Sequence, residues 1–183
     1  MTITLSQLTA TSLTALALLA APAAAFQKGS PPAASDDCDH VAMAHWGGDP
    51  DSGLVAEAVT ICGEDGRVRA TLTLVASDGE VRFQRQYPTD EVMLLASPAE
   101  GDMPTRLDYW LAAFTDLDNT THIPGEDAEF PFYPADGLTD ADINALRDEG
   151  RDMACYIQGL ESANCLVRDG KDVREIGVWL FPG

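Results

Sequence analysis

Four cysteines, Cys38, Cys62, Cys155 and Cys165, follow an apolar N-terminal run, and these two features together set the terms on which the chain folds. Residues 9–21 are small or apolar throughout, with Leu13, Leu16, Leu18 and Leu19 at the centre, and Pro22 and Ala23-Ala24-Ala25 precede Phe26. A short apolar core ending in an Ala-x-Ala site suits a signal peptidase: the core inserts briefly in the bilayer, and the small residues fit the enzyme's pocket. The run is shorter than the roughly 20 apolar residues a membrane anchor needs. Residues 1–8 carry no Lys or Arg, so the α-amino group alone supplies the usual positive charge. Residues 1–25 are therefore read as a cleaved signal peptide of a bacterial-type secretory pathway, and the mature protein as periplasmic or secreted. No second apolar run is long enough to span a bilayer, so no membrane contact is expected after cleavage.

In an oxidising compartment an even cysteine count argues for two disulfides. Four cysteines permit three pairings, of which proximity favours Cys38 with Cys62 and Cys155 with Cys165. Loops of this size each constrain the unfolded chain by about 3 kcal/mol in the entropy model. Residues 26–37, with Gly29-Ser30-Pro31-Pro32, read as a flexible leader, and 38–183 as a single domain.

Local patterns give an α+β domain: antiparallel β-meanders packed with two short-to-medium helices and stabilised by disulfides. Val68, Ala70, Leu72 and Leu74 alternate with Arg67, Arg69, Thr71 and Thr73, the period of a half-buried strand. Residues 54–62 and 80–87 flank it, the latter after Asp78-Gly79, a two-residue hairpin signal, and residues 91–96 are expected as a fourth strand. Pro104 can sit in the first turn of a helix whose Leu107, Trp110, Leu111 and Phe114 form one stripe. Thr139 with Asp142 makes a capping box for a second helix, Leu138 and Ile143 are placed as a hydrophobic staple, and Gly150 is its C-cap. Residues 116–138, acidic and proline-bearing, are the expected functional loop. Strands at 153–158, 163–168 and 173–181 close the chain, with Cys155 and Cys165 nearly opposite each other.

Charge narrows the partners. The chain has 30 acidic and 11 basic residues, a net −19, and none of them falls in residues 1–25. Such a surface repels nucleic-acid phosphates and anionic headgroups and attracts a basic protein or a divalent cation. An Asp-rich, Lys-poor surface also suits a salty habitat, and that explanation is preferred for the acidity itself.

Candidate chemistry is sparse. His40, Met43 and His45, followed by Trp46, offer imidazole and thioether ligands suited to copper. Packing of Met43 and Trp46 with both histidines exposed is the favoured alternative. Asp116, Asp118, Thr120 and Asp127 match several calcium-loop spacings, but Thr121 stands where that loop needs Gly, and the bidentate Glu is missing. Asp49 and Asp51 are equally weak calcium candidates. His122 lies in the acidic loop without a nucleophile motif beside it, and no phosphate-binding glycine loop is present. No residues carry a recognisable family signature. The expected function is a non-catalytic acidic domain that docks a basic protein partner, inhibitor- or immunity-like, with Phe130, Phe132 and Tyr133 as candidate anchors. A copper or weak calcium protein is the second expectation. A hydrolase whose carboxylates converge only in space is the third.

Overall fold

The alternation at residues 67–75 does become a strand, and it organises the first sheet. A computed structural model describes residues 36–125 and 127–182. The expected signal segment, residues 1–25, and residues 26–35 of the expected leader lie outside the described residues. Strands β1 (Val41–His45), β2 (Leu54–Cys62), β3 (Val68–Ala76) and β4 (Val81–Pro88) form an antiparallel meander in that order. Its inner face buries Leu54, Leu72 and Leu74 beside the small residues Ala56, Ala58 and Ala70. Alanines there allow a helix to lie close against the sheet.

That helix is α2 (Met103–Thr115), preceded by the single turn α1 (Met93–Ala96). Asp102 caps α2 by accepting from the Thr105 N–H, and Pro104 occupies its first turn. Leu107, Trp110, Leu111 and Phe114 are all buried, as their spacing requires. Arg106 shares that buried stripe: its guanidinium donates to the Leu95 carbonyl and pairs with Asp37 at 2.7 Å. Asp37, at the end of the leader, is thereby tied to the core.

Two local expectations are corrected. Residues 91–96 are not a strand, because Thr89–Glu91 form a 3₁₀ turn and α1 follows. Val92 and Leu95, three apart, are both buried in the core, and the Met93 N–H donates to the Gly159 carbonyl. A short apolar run carries too little periodicity to separate strand from helix. The meander's remaining strand is β1 instead, registered by Met43 opposite Glu57. The Asp78-Gly79 hairpin forms with three loop residues rather than two. The Ala76 N–H donates to the Glu80 carbonyl across Ser77, Asp78 and Gly79, with Gly79 at φ +83°. A left-handed glycine closing a three-residue loop is a standard hairpin solution.

The second sheet contains β5 (Asp118–Asn119), β6 (Phe132–Pro134), β7 (Asp152–Ile157), β8 (Ser162–Asp169) and β9 (Asp172–Leu180). Its order is β5-β7-β8-β9-β6, antiparallel at every pairing. Gly177 admits β6 to the edge, since a Cβ there would strike the Tyr133 carbonyl and the Phe132 ring. Helix α3 (Asp140–Glu149) carries the expected capping box between Thr139 and Asp142, and Gly150 closes it at φ +62°.

The second sheet is apolar on both faces. Ala154, Tyr156 and Leu166 join the core shared by α2 and the first sheet. Met153, Cys165, Val167 and Ile176 face the other way, against Ile143 and Leu146 of α3. The layers therefore run first sheet, α2, second sheet, α3. The fold is α+β, with two antiparallel sheets, three short helices and two disulfides. Cys38 pairs with Cys62 and Cys155 with Cys165.

A buried polar chain locks the two sheets together. The Tyr87 hydroxyl of β4 lies 2.6 Å from that of Tyr156 on β7, and the Asn164 amide on β8 donates to Tyr156 at 2.9 Å. Beside it Arg85 reaches Glu175 of β9 through two bonds, at 3.1 and 2.6 Å. Burial pushes the Tyr156 hydroxyl well above the usual phenol range, so it stays a neutral hydrogen-bonding group.

Candidate binding groove

The second sheet carries more apolar side chains than α3 covers. Cys155 and Ile157 stand opposite Cys165 and Ala163, and Ala163 stands opposite Trp179. Cys155 and Trp179 pack on the α3 side, whereas Ile157 packs against the core on the α2 side. Near Met153, Val167 and Ile176 the α3 side is closed by Ile143 and Leu146. Beside Ile157, Ala163 and Trp179, next to the end of α2, lies a hollow of about 510 Å³, walled by Ala113 and Leu117 and bounded by Phe181. Space of this size accommodates a drug-sized molecule or the side chains of a short peptide.

Backbone bonds hold the far wall. The Leu180 N–H donates to the Pro131 carbonyl and the Phe181 N–H to the Glu161 carbonyl, which fixes the C-terminal residues beside the β7–β8 turn. Phe181 is shared with a second hollow of about 500 Å³, lined also by Glu129, Phe130, Pro131, Glu161 and Leu180. The two hollows share Phe181 and make up the candidate groove, and apolar side chains dominate the first of them.

Its polar groups carry one sign. Asp116 and Asp118 line the first hollow and Glu129 and Glu161 the second, while among the described residues no Lys, Arg or His lines either. Asp118 is also bonded to His122, 2.5 Å from its Nδ1 and outside the lining. Asp116 and Asp118 sit two residues apart on one wall rather than across from each other. The arrangement suits recognition of a cation next to an apolar group.

Of the aromatic anchors expected from sequence, Phe130 lines the second hollow. Phe132 instead tucks against the α3 side, opposite Trp179, and Tyr133 is 55% exposed on β6. The groove's other aromatics, Trp179 and Phe181, were not singled out from sequence, although Trp179-Leu180-Phe181 is a dense apolar run for so polar a chain.

The metal candidates are not gathered into one site. Alternation puts Met43 and His45 on the outer side of β1, with Met43 65% exposed, and His40 on the opposite side, its Nε2 2.7 Å from the Asp36 carbonyl oxygen. Cys38 is committed to its disulfide. Thr120 is fully buried, with its hydroxyl donating to the Leu146 carbonyl and accepting from the Arg151 N–H, so it turns away from Asp116 and Asp118. Asp127 is exposed in a turn. Asp49 caps the turn of residues 50–52 by accepting from the Asp51 N–H. Among the described residues no group of three or more His, Cys, Asp or Glu is placed to hold a metal ion.

No protein-family model, curated protein or solved structure matches this chain significantly.

Proposed function

We propose that this protein is an exported, non-catalytic binding domain that captures a basic protein partner, in the manner of an inhibitor or an immunity protein. One observation carries the reading: the groove sets four carboxylates beside apolar side chains, with no cation among the described residues that line it, on a chain of net charge −19. The negative field accelerates encounter with a cationic surface. An aliphatic or aromatic side chain seated on Ile157, Trp179 and Phe181 then supplies holding energy, about 1.5–3 kcal/mol for one fully buried residue. Two disulfides, and the absence among the described residues of a helix long and apolar enough to cross a membrane, support a periplasmic or secreted location.

The test is capture from a periplasmic extract by the oxidised protein at low and moderate salt, alongside an Asp116→Lys/Asp118→Lys variant. The reading expects a basic partner that is retained by the parent, weakened by salt and lost from the variant. A captured partner that binds the variant as tightly as the parent, at either salt level, would refute it.

A further inference from the structure

We infer that the partner enters this groove as an extended segment and pairs one of its residues with the open main chain of Cys155 on β7. The inference rests on the groove reading above and specifies the partner as a cationic, extended peptide stretch.

The main chain of β7 alternates between two sides. The Gln158 N–H donates to the Ser162 carbonyl, which assigns even-numbered residues to β8. Cys155 and Cys165 are directly opposite with Cα atoms 4.1 Å apart, the close spacing of a non-hydrogen-bonded pair, so Cys155 directs its N–H and C=O away from β8. Its odd-numbered neighbours face the same way and are engaged. The Arg151 carbonyl accepts from the Thr120 N–H, Met153 pairs with Asp118, and the Ile157 carbonyl accepts from the Trp110 indole at 2.6 Å. Between them, Cys155 has no partner on that side among the described residues.

The reason is that β5 is only two residues long. Continued one step back, it would bring Asp116 opposite Cys155, but the Asp116 N–H is already bonded to the Ala112 carbonyl at the end of α2. The first hollow lies in this gap, lined on one side by Cys155 and Ile157 and on the other by Asp116, Leu117 and Asp118. An extended segment placed there exchanges two main-chain hydrogen bonds with Cys155. It also sends flanking side chains towards the apolar lining, so main-chain bonds and side-chain pockets share the recognition. The carboxylates on the wall select lysine or arginine at the intervening positions, and repel an acidic strand or a second copy of this chain.

The probe is the amidated peptide Lys-Val-Lys-Phe-Lys-Val-Lys, titrated into the isotope-labelled, oxidised protein. Two further versions are N-methylated, one on the lysines and one on the apolar residues. N-methylation removes main-chain donors while keeping charge and side chains. The expected result is binding of the parent peptide, slowing of Cys155 amide exchange by about tenfold or more, and loss of affinity of about tenfold in one N-methylated version only. If the parent binds while Cys155 exchange is unchanged and both methylated versions bind alike, main-chain pairing at Cys155 is overturned and the groove reading stands. If the parent does not bind, both fall together.

Discussion

Replacing Tyr156 with Phe removes one oxygen from the centre of the core, and the structure gives the cost. That hydroxyl is bonded to the Tyr87 hydroxyl at 2.6 Å and to the Asn164 amide at 2.9 Å. Asn164 is fully buried, and its Oδ1 already lacks a partner among the described residues, so its amide has nowhere to turn. A buried donor stripped of its acceptor costs about 1–3 kcal/mol, which puts the Asn164 share at about 2 kcal/mol. The buried Tyr87 hydroxyl loses the same partner, for a further cost of about 1 kcal/mol. Tyr156→Phe should therefore lose about 3 kcal/mol of the roughly 5–15 kcal/mol that holds a domain of this kind together. The assay is equilibrium denaturation in urea with both disulfides intact, read as a shift in midpoint at constant slope. The double variant Tyr87→Phe/Tyr156→Phe removes the stranded hydroxyl and should recover about 1 kcal/mol relative to Tyr156→Phe alone. A single variant costing under about 1 kcal/mol, or a double variant less stable than the single, would refute the network as described.

Two further outcomes follow from crosslinks and from titration. Replacing both cysteines of the Cys155–Cys165 pair with alanine, a separation of 10 residues, should cost about 2.7 kcal/mol, and replacing Cys38 and Cys62, a separation of 24, about 3.4 kcal/mol. Denaturation of the two variants measures both, and the opposite ranking would rule out a chain-entropy origin. Burial holds the Tyr156 and Tyr87 hydroxyls above their ordinary value of 10.0. The unfolded chain then releases these protons near pH 10.0 while the folded chain keeps them, so the stabilisation is full below that pH and falls as pH rises past it. Stability measured on both sides of pH 10.0 should show this alkaline decline, and it should be shallower in Tyr156→Phe.

What was legible in the sequence was encoded within a few residues. The capping box of Thr139 and Asp142 is a contact across one helical turn, and it formed as spelled. The stripe from Leu107 to Phe114 and the alternation of β3 depend only on the repeat of helix and strand. The stripe is buried throughout, and β3 buries Ala70, Leu72 and Leu74, while Val68 is half-buried and Thr73 of the other face is buried by its neighbours. The disulfide partners were close in sequence or flanked one turn. By contrast β1 was missed, because Val-Ala-Met-Ala-His has modest strand preference by itself and is held by pairing to β2. Residues 91–96 went the other way, towards helix, because Val92 and Leu95 meet the core three residues apart.

The chain's own letters determined its charge, its crosslinks, its helix ends and the period of its strands, since each depends on neighbours along the chain. Only the tertiary structure decided the groove. Ala113, Asp118, Ile157, Ala163 and Phe181 come together because β5 stops after two residues and α3 covers part of one sheet face. Neither event has a local signature. How far one element covers another depends on packing between segments tens of residues apart, and that geometry left apolar side chains beside a row of carboxylates.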